Sequence, residues 1–353
     1  MKSQTAIRRS AGVLFGVAAL ALAGCGQAAT LRATPANFGE QLGKLKDGQT
    51  LELGAGVYQM LWIADRTFAT PVAVTGKGAV LQGLMVRNSN GLTFSGLELI
   101  GDCPTAKDPF IVQGSRNLRF EGLKVSGEGA CRNGLLIRES SDVTVTRSEF
   151  SKAAVGITHL NTPRLTIADN HFHHLAIDGI AGGCSSNLSI TGNRIHDFRP
   201  TPGAHGDGIQ LWMRNCKADT YDTLIADNLI YRGEGGVETV AQGIFVTGGP
   251  LRYHRIAIRD NVVLGGMYNG VTLVGGGEGA TIENNTVLGF PDMQNWIRSA
   301  DNLDLRITGN RTQKFEFPKG RDGVTEKRND MQGPARDRGA ALLEARERRP
   351  RRE

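Results

Sequence analysis

One structural phrase repeats along this chain. LTIADNHF at residues 165–172 returns as LSITGNRI at 188–195, and its Asn recurs at Asn170, Asn193, Asn228, Asn261, Asn285 and Asn310. Leu97, Leu123 and Ser148 hold the same slot earlier, and the successive spacings are 26, 25, 22, 23, 35, 33, 24 and 25 residues. Short alternating apolar segments at this period, separated by Gly, Asn and Ser turns and lacking a 3.6-residue rhythm, mark a β-solenoid. Each coil then adds one rung to parallel sheets, about 4.8 Å from the next. Asn suits the slot because it tolerates a tight left-handed turn and its amide can bond backbone and the Asn of the next coil. Leucine-rich and WD repeats need helices or tryptophans that this period lacks. The expectation is an all-β, right-handed parallel β-helix of about nine coils, its hand following the general rule for parallel crossovers.

Composition bears on partners. With 353 residues, 47 Gly, 40% hydrophobic and 6% aromatic residues, the chain suits one long, narrow core of Val, Ile and Leu better than two globular domains. The net charge of +6 suggests nucleic acid until it is divided: residues 1–25 hold +3 and residues 319–353 hold +4, which leaves −1 on the body. A neutral body gives nucleic acid no electrostatic footprint.

The ends read differently from the middle. Lys2, Arg8 and Arg9 precede an apolar run from Ala11 to Ala23, too short to span a membrane and typical of a signal peptide. The following Leu22-Ala23-Gly24-Cys25 resembles the lipobox of bacterial lipoproteins. That resemblance implies cleavage before Cys25, lipidation of its thiol and, with Gly26 next, an outer-membrane lipoprotein facing the periplasm or cell surface. Residues 26–50 read as a linker and N-terminal cap, 51–318 as the β-helix, and 319–353, dense in Arg and Glu, as a disordered tail. Cys103, Cys131, Cys184 and Cys216 allow three disulfide pairings. Their separations of 28 and 32 residues are each close to one coil, which suits Cys103 with Cys131 and Cys184 with Cys216.

The two long coils locate function. Their extra residues must leave the solenoid as loops, at 199–206, 213–222 and 233–241. These loops flank a strand that recurs as NGLLI from Asn133, VGITH from Val155, DGIAG from Asp178, DGIQL from Asp207, QGIFV from Gln242 and NGVTL from Asn269. Stacked in register, the strands place Asn133, Val155, Asp178, Asp207, Gln242 and Asn269 in one column. Leu136, Thr158, Ala181, Gln210, Phe245 and Thr272 form another. Asp178 and Asp207 then sit on adjacent rungs, where like charges raise a pKa or bind a cation such as calcium. Asp207, His205 and Asp178 are the candidate catalytic residues. Gln210, Trp212, Gln242, Phe245, His159 and Arg138 are the candidate substrate contacts, while His173 and His196, equivalent positions on another sheet, read as exposed face residues rather than a metal site.

The run DGIAGGCSSNLSITGNRIH followed by GDGIQL resembles the polygalacturonase-type glycosidases. Asp178 matches the Asp of that family's first motif and Asp207 the first of its Asp pair. The chain departs from the pattern at Ile177, at Gly208 where the second Asp would stand, and at Gln242. More broadly the body resembles the pectate-lyase-like superfamily, which implies a sugar polymer as partner. The reading is a monomeric lyase that cleaves a uronate-containing polysaccharide by β-elimination. Its alternatives are a hydrolase using the same carboxylates and a non-catalytic polysaccharide-binding lipoprotein.

Overall fold

In the computed structural model of the chain, the described residues are 29–105, 107–200, 203, 205–233, 241–317, 324–335, 340–342 and 344. Among them the backbone winds as a parallel β-solenoid of about ten turns, one more than the ladder suggested. Three long sheets of 13, 12 and 11 strands run its length, visited in that order by each coil, and in three successive coils a short three-stranded sheet stands between the 11- and 13-stranded ones. The Leu22–Cys25 segment lies outside the described residues.

The Asn ladder is the fold's internal brace. Asn193 Oδ1 accepts the backbone N–H of Asn170 at 3.0 Å and its side-chain amide at 3.1 Å, while Asn193 Nδ2 donates to Ile167 O and to Asn228 Oδ1. The same bonds repeat through Asn228, Asn261, Asn285 and Asn310. Each amide thereby pairs buried backbone groups that the turn would leave bare. The left-handed residue is not the Asn but the one before it, with φ of 57° at Asp169, 67° at Gly192, 56° at Asp227 and 54° at Asn284. A second ladder, of hydroxyls, occupies another corner: Ser115 Oγ takes the N–H of Ser89, and Ser140 Oγ that of Ser115.

Between the sheets the core is aliphatic with stacked rings. Phe94 lies on Phe120 and Phe150 on Phe172, each pair 5.0 Å between centroids. At the N-terminal end the helix Phe38–Lys44 and the buried Leu42 and Leu45 cover the first rung. Arg66 donates to Leu42 O and Leu45 O, satisfying carbonyls at the helix end. Coils also begin earlier than the expected boundary at residue 51, since Thr30–Ala33 already pairs with Thr50–Leu53.

The C-terminal end departs further from expectation. The ladder passes Asn310 to Asn329, and Val324–Lys327 adds a strand to the 13-stranded sheet. Beyond it, Ala341 and Leu342 pack against an apolar patch of Leu229, Leu264, Leu288 and Phe290 on the outer face of the 12-stranded sheet. Arg311 pairs with Glu344 beside them. The described parts of 319–353 are therefore a further coil and a docked segment, not a disordered tail.

Candidate active site on the outer face of the 11-stranded sheet

The strands read from the sequence all lie in the 11-stranded sheet, and both columns form in register. Leu136 pairs with Thr158, Thr158 with Ala181, Ala181 with Gln210, Gln210 with Phe245 and Phe245 with Thr272. Asp207 reaches this outer side through Gly208. A Cβ there would meet Ile230 at 2.7 Å, and the next residue, Ile209, is wholly buried in the core. Two successive positions thus address the interior, which turns Asp207 to the side of Gln210.

Asp178 and Asp207 meet as expected, on adjacent rungs, but beneath the surface: they are 5% and 2% exposed. Asp178 Oδ1 accepts the backbone N–H of Asp207 at 2.9 Å, and Asp207 Oδ2 accepts from Gln210 Nε2 at 2.8 Å. Asp207 Oδ1 is buried without a partner. Burial first, and then the charge of Asp178, pushes the Asp207 carboxyl up to about 8. Burial pushes Asp178 up to about 6, against the hydrogen bond from the Asp207 backbone. At neutral pH Asp207 is therefore a neutral carboxylic acid beside an ionised one. These donors do not fit calcium, which takes six to eight oxygens. One oxygen of each carboxyl is already committed, and no three metal-binding side chains converge among the described residues.

The other expected residues divide between contact and core. His205 is exposed, two residues before Asp207. Gln242 is buried and accepts from Asn269 Nδ2. His159 is not a substrate contact. It occupies an inward position between Ile137 and Gly182, is 0% exposed, and bonds Ser185 Oγ at 3.0 Å, with burial lowering its pKa to about 4.

Trp212 and Arg138 line a cleft of about 750 Å³ at the far ends of the same strands. Its outer wall is the insertion after Trp212, which brings Arg214, Lys217 and Asp219 that the sequence reading had not singled out. Hydrogen bonds from His254 and from the backbone N–H of Arg252 hold Asp219 below the usual carboxylate range. Arg138, Arg214 and Lys217 face only Glu139 and Asp219 as acids, so cations prevail. Phe245 lines a second depression of about 380 Å³, with Tyr268, Asn269 and Arg298. Since Asp207–Trp212 spans five steps of about 3.3 Å, the cleft lies about 17 Å from the carboxyl pair, not over it.

Both disulfides take the pairing that the coil length favoured, Cys103–Cys131 and Cys184–Cys216. The second ties the cleft wall to the previous coil. Replacing Cys184 and Cys216 by Ser opens a 32-residue loop, an expected loss of about 3–4 kcal/mol. Melting curves check that loss, and the same variant is expected to weaken binding at the cleft.

Comparison with known proteins supports the architecture. A family model described as a right-handed beta helix region matches residues 82–211. An exopolygalacturonase from Thermotoga maritima is 10% identical, with 87% of this chain and 93% of that chain covered at a TM-score of 0.54. The A-module of a mannuronan C-5 epimerase from Azotobacter vinelandii is 14% identical, covering 82% and 87% at 0.55. The surface adhesin PfbA of Streptococcus pneumoniae is 12% identical, covering 88% and 84% at 0.51. No curated protein matches the sequence. Likeness at such identities carries the fold and not the chemistry.

Proposed function

Because the chain is a right-handed parallel β-helix protein, we propose that it acts on a uronate-containing polysaccharide laid over its 11-stranded sheet, cleaving it by β-elimination. The carrying observation is the cation-rich cleft around Trp212, open on the same face that holds the carboxyl pair. An indole offers a flat apolar surface to a sugar ring, and guanidinium groups pair with carboxylates in two-pronged fashion. The fold relatives that act on sugar polymers support the same substrate class.

In this reading His205 takes the proton from the carbon α to the uronate carboxylate. The electron pair left behind forms a carbon–carbon double bond as the glycosidic carbon–oxygen bond breaks, and Asp207 gives its proton to the departing oxygen. A carboxylic acid that remains neutral to about pH 8 suits that donor role. Substrate reaches Asp207 only if Gln210, half-exposed above it, turns aside.

That near-complete burial favours a second reading, a non-catalytic glycan-binding protein, in which the pair only braces the strands. In either reading a lipid anchor at Cys25 would hold the chain at the outer membrane.

A binding panel of uronate, sulfated and neutral polysaccharides tests the substrate class. Uronate polymers are expected to bind best, and Trp212→Ala to weaken them about tenfold, the equivalent of about 1.4 kcal/mol. Equal binding of neutral polymers, or unchanged binding by Trp212→Ala, would remove the reading's main support.

A further inference from the structure

The 12-stranded sheet carries on its outer face a group of imidazoles that the proposed reaction does not use. Four of the chain's seven histidines gather there. His171 and His173 come from one strand, His174 from the turn after it, and His196 from the next coil, in register with His173. The ring of His171 lies 4.6 Å from that of His173 and 4.9 Å from that of His196.

Carboxylates orient these rings. His196 Nδ1 lies 2.5 Å from Asp197 Oδ2, and His173 Nε2 lies 3.1 Å from Glu149 Oε1. An ionised carboxylate only accepts, so the proton of a neutral His196 sits on Nδ1 and its Nε2 is an acceptor. His171 Nε2–H donates to it at 2.7 Å, so a metal ion taken up between the two rings displaces that one proton. The ring of Tyr231 stacks on His196 from the other side at 4.6 Å and fixes its plane. Arg194, the nearby cation, is bonded to the Tyr231 hydroxyl instead of filling the gap between the imidazoles. A carboxylate that holds one ring nitrogen while the other points at a second imidazole is the support proteins give to metal-binding histidines.

We propose that His171 Nε2 and His196 Nε2 bind one divalent transition-metal ion of the zinc class on this face. Imidazole nitrogens suit zinc, nickel or copper and discriminate against calcium and magnesium, which take oxygen. Tetrahedral zinc with bonds of about 2.0–2.1 Å holds two ligand nitrogens about 3.3 Å apart. The pair must therefore part from its 2.7 Å, a movement open to His171, which is half-buried, while Asp197 and Tyr231 hold His196. No third imidazole, thiol or carboxylate converges among the described residues, so the remaining positions belong to water or to a donor from outside the chain.

Titration of the chelator-treated full chain with Zn²⁺, read by calorimetry and by the ¹⁵N shifts of the histidine rings, tests this. The expected result is one Zn²⁺ per chain, undisturbed by excess Ca²⁺, with the largest shifts at the Nε2 of His171 and His196. His171→Ala and His196→Ala are each expected to weaken binding at least tenfold, and His254→Ala, on the far three-stranded sheet, to leave it unchanged. The half-exposed His171 gives a variant that keeps its fold even if His196→Ala does not. Absence of binding, full affinity in His171→Ala, or loss in His254→Ala alone would overturn the proposal.

Discussion

Asp207→Asn is expected to flatten the loss of stability that the wild-type chain suffers between pH 4 and pH 8. The sign follows from which state holds the proton. An unfolded Asp ionises near pH 3.9, whereas in the folded chain Asp207 keeps its proton up to about 8. Below pH 4 both states hold this proton and the contribution of Asp207 is fully present. As pH rises, the unfolded state releases a proton that the folded state retains, and stability drains away until Asp207 ionises. Four pKa units at about 1.4 kcal/mol each set an upper bound on the order of 5 kcal/mol. Asn removes this share and leaves the smaller one of Asp178, raised to about 6, while its carbonyl still accepts from Gln210. Denaturant midpoints at pH 5 and pH 8 check it: parallel losses in both proteins would mean that Asp207 is not the buried acid described above.

Asn228→Ala carries an effect of similar size for a different reason. The substitution strips the backbone N–H of Asn193 and one of the two N–H groups of its side-chain amide of their acceptor, and Ile190 O of the amide donor, while the other amide N–H keeps Ile167 O. Three buried polar groups left unpaired at about 1–3 kcal/mol each cost on the order of 5 kcal/mol. Asn329→Ala, at the half-buried end of the same ladder, is expected to cost about 1 kcal/mol, because water reaches the vacated groups. Equal midpoints for the two variants in guanidinium would contradict the brace assigned to this ladder.

What the sequence revealed and what it hid follow from where information is repeated. The period, both columns and the two disulfides were readable because a solenoid converts sequence spacing directly into spatial adjacency. The hydroxyl ladder was overlooked: Ser89, Ser115 and Ser140 recur at the coil period, 26 and 25 residues, but each alone looks like an ordinary turn residue. His159 was open to the same alternation that sent Ile209 inward: it lies two residues beyond the buried Ile157. The cleft was half visible. Insertion lengths located its wall after the strand that begins at Asp207, but nothing periodic states where Arg214 and Lys217 point once the chain leaves the rungs. At the C-terminus, Arg and Glu content suggested a solvated tail. Yet Asn329 continues the ladder, and Ala341 and Leu342 dock on apolar residues of other coils, contacts that composition does not encode.

The chemistry assigned to this face is tested most directly by incubating the wild-type chain and Asp207→Asn with uronate polysaccharides. Two signals are followed, the ultraviolet absorbance of an unsaturated uronate and the release of reducing ends. The expected result is that both signals rise together for the wild type and that the variant, still binding polymer, is slower by about a hundredfold or more, as loss of a general acid would cause. Binding without any product, or an Asp207→Asn variant as fast as the wild type, would contradict it; reducing ends without absorbance would transfer the carboxyl pair to hydrolysis.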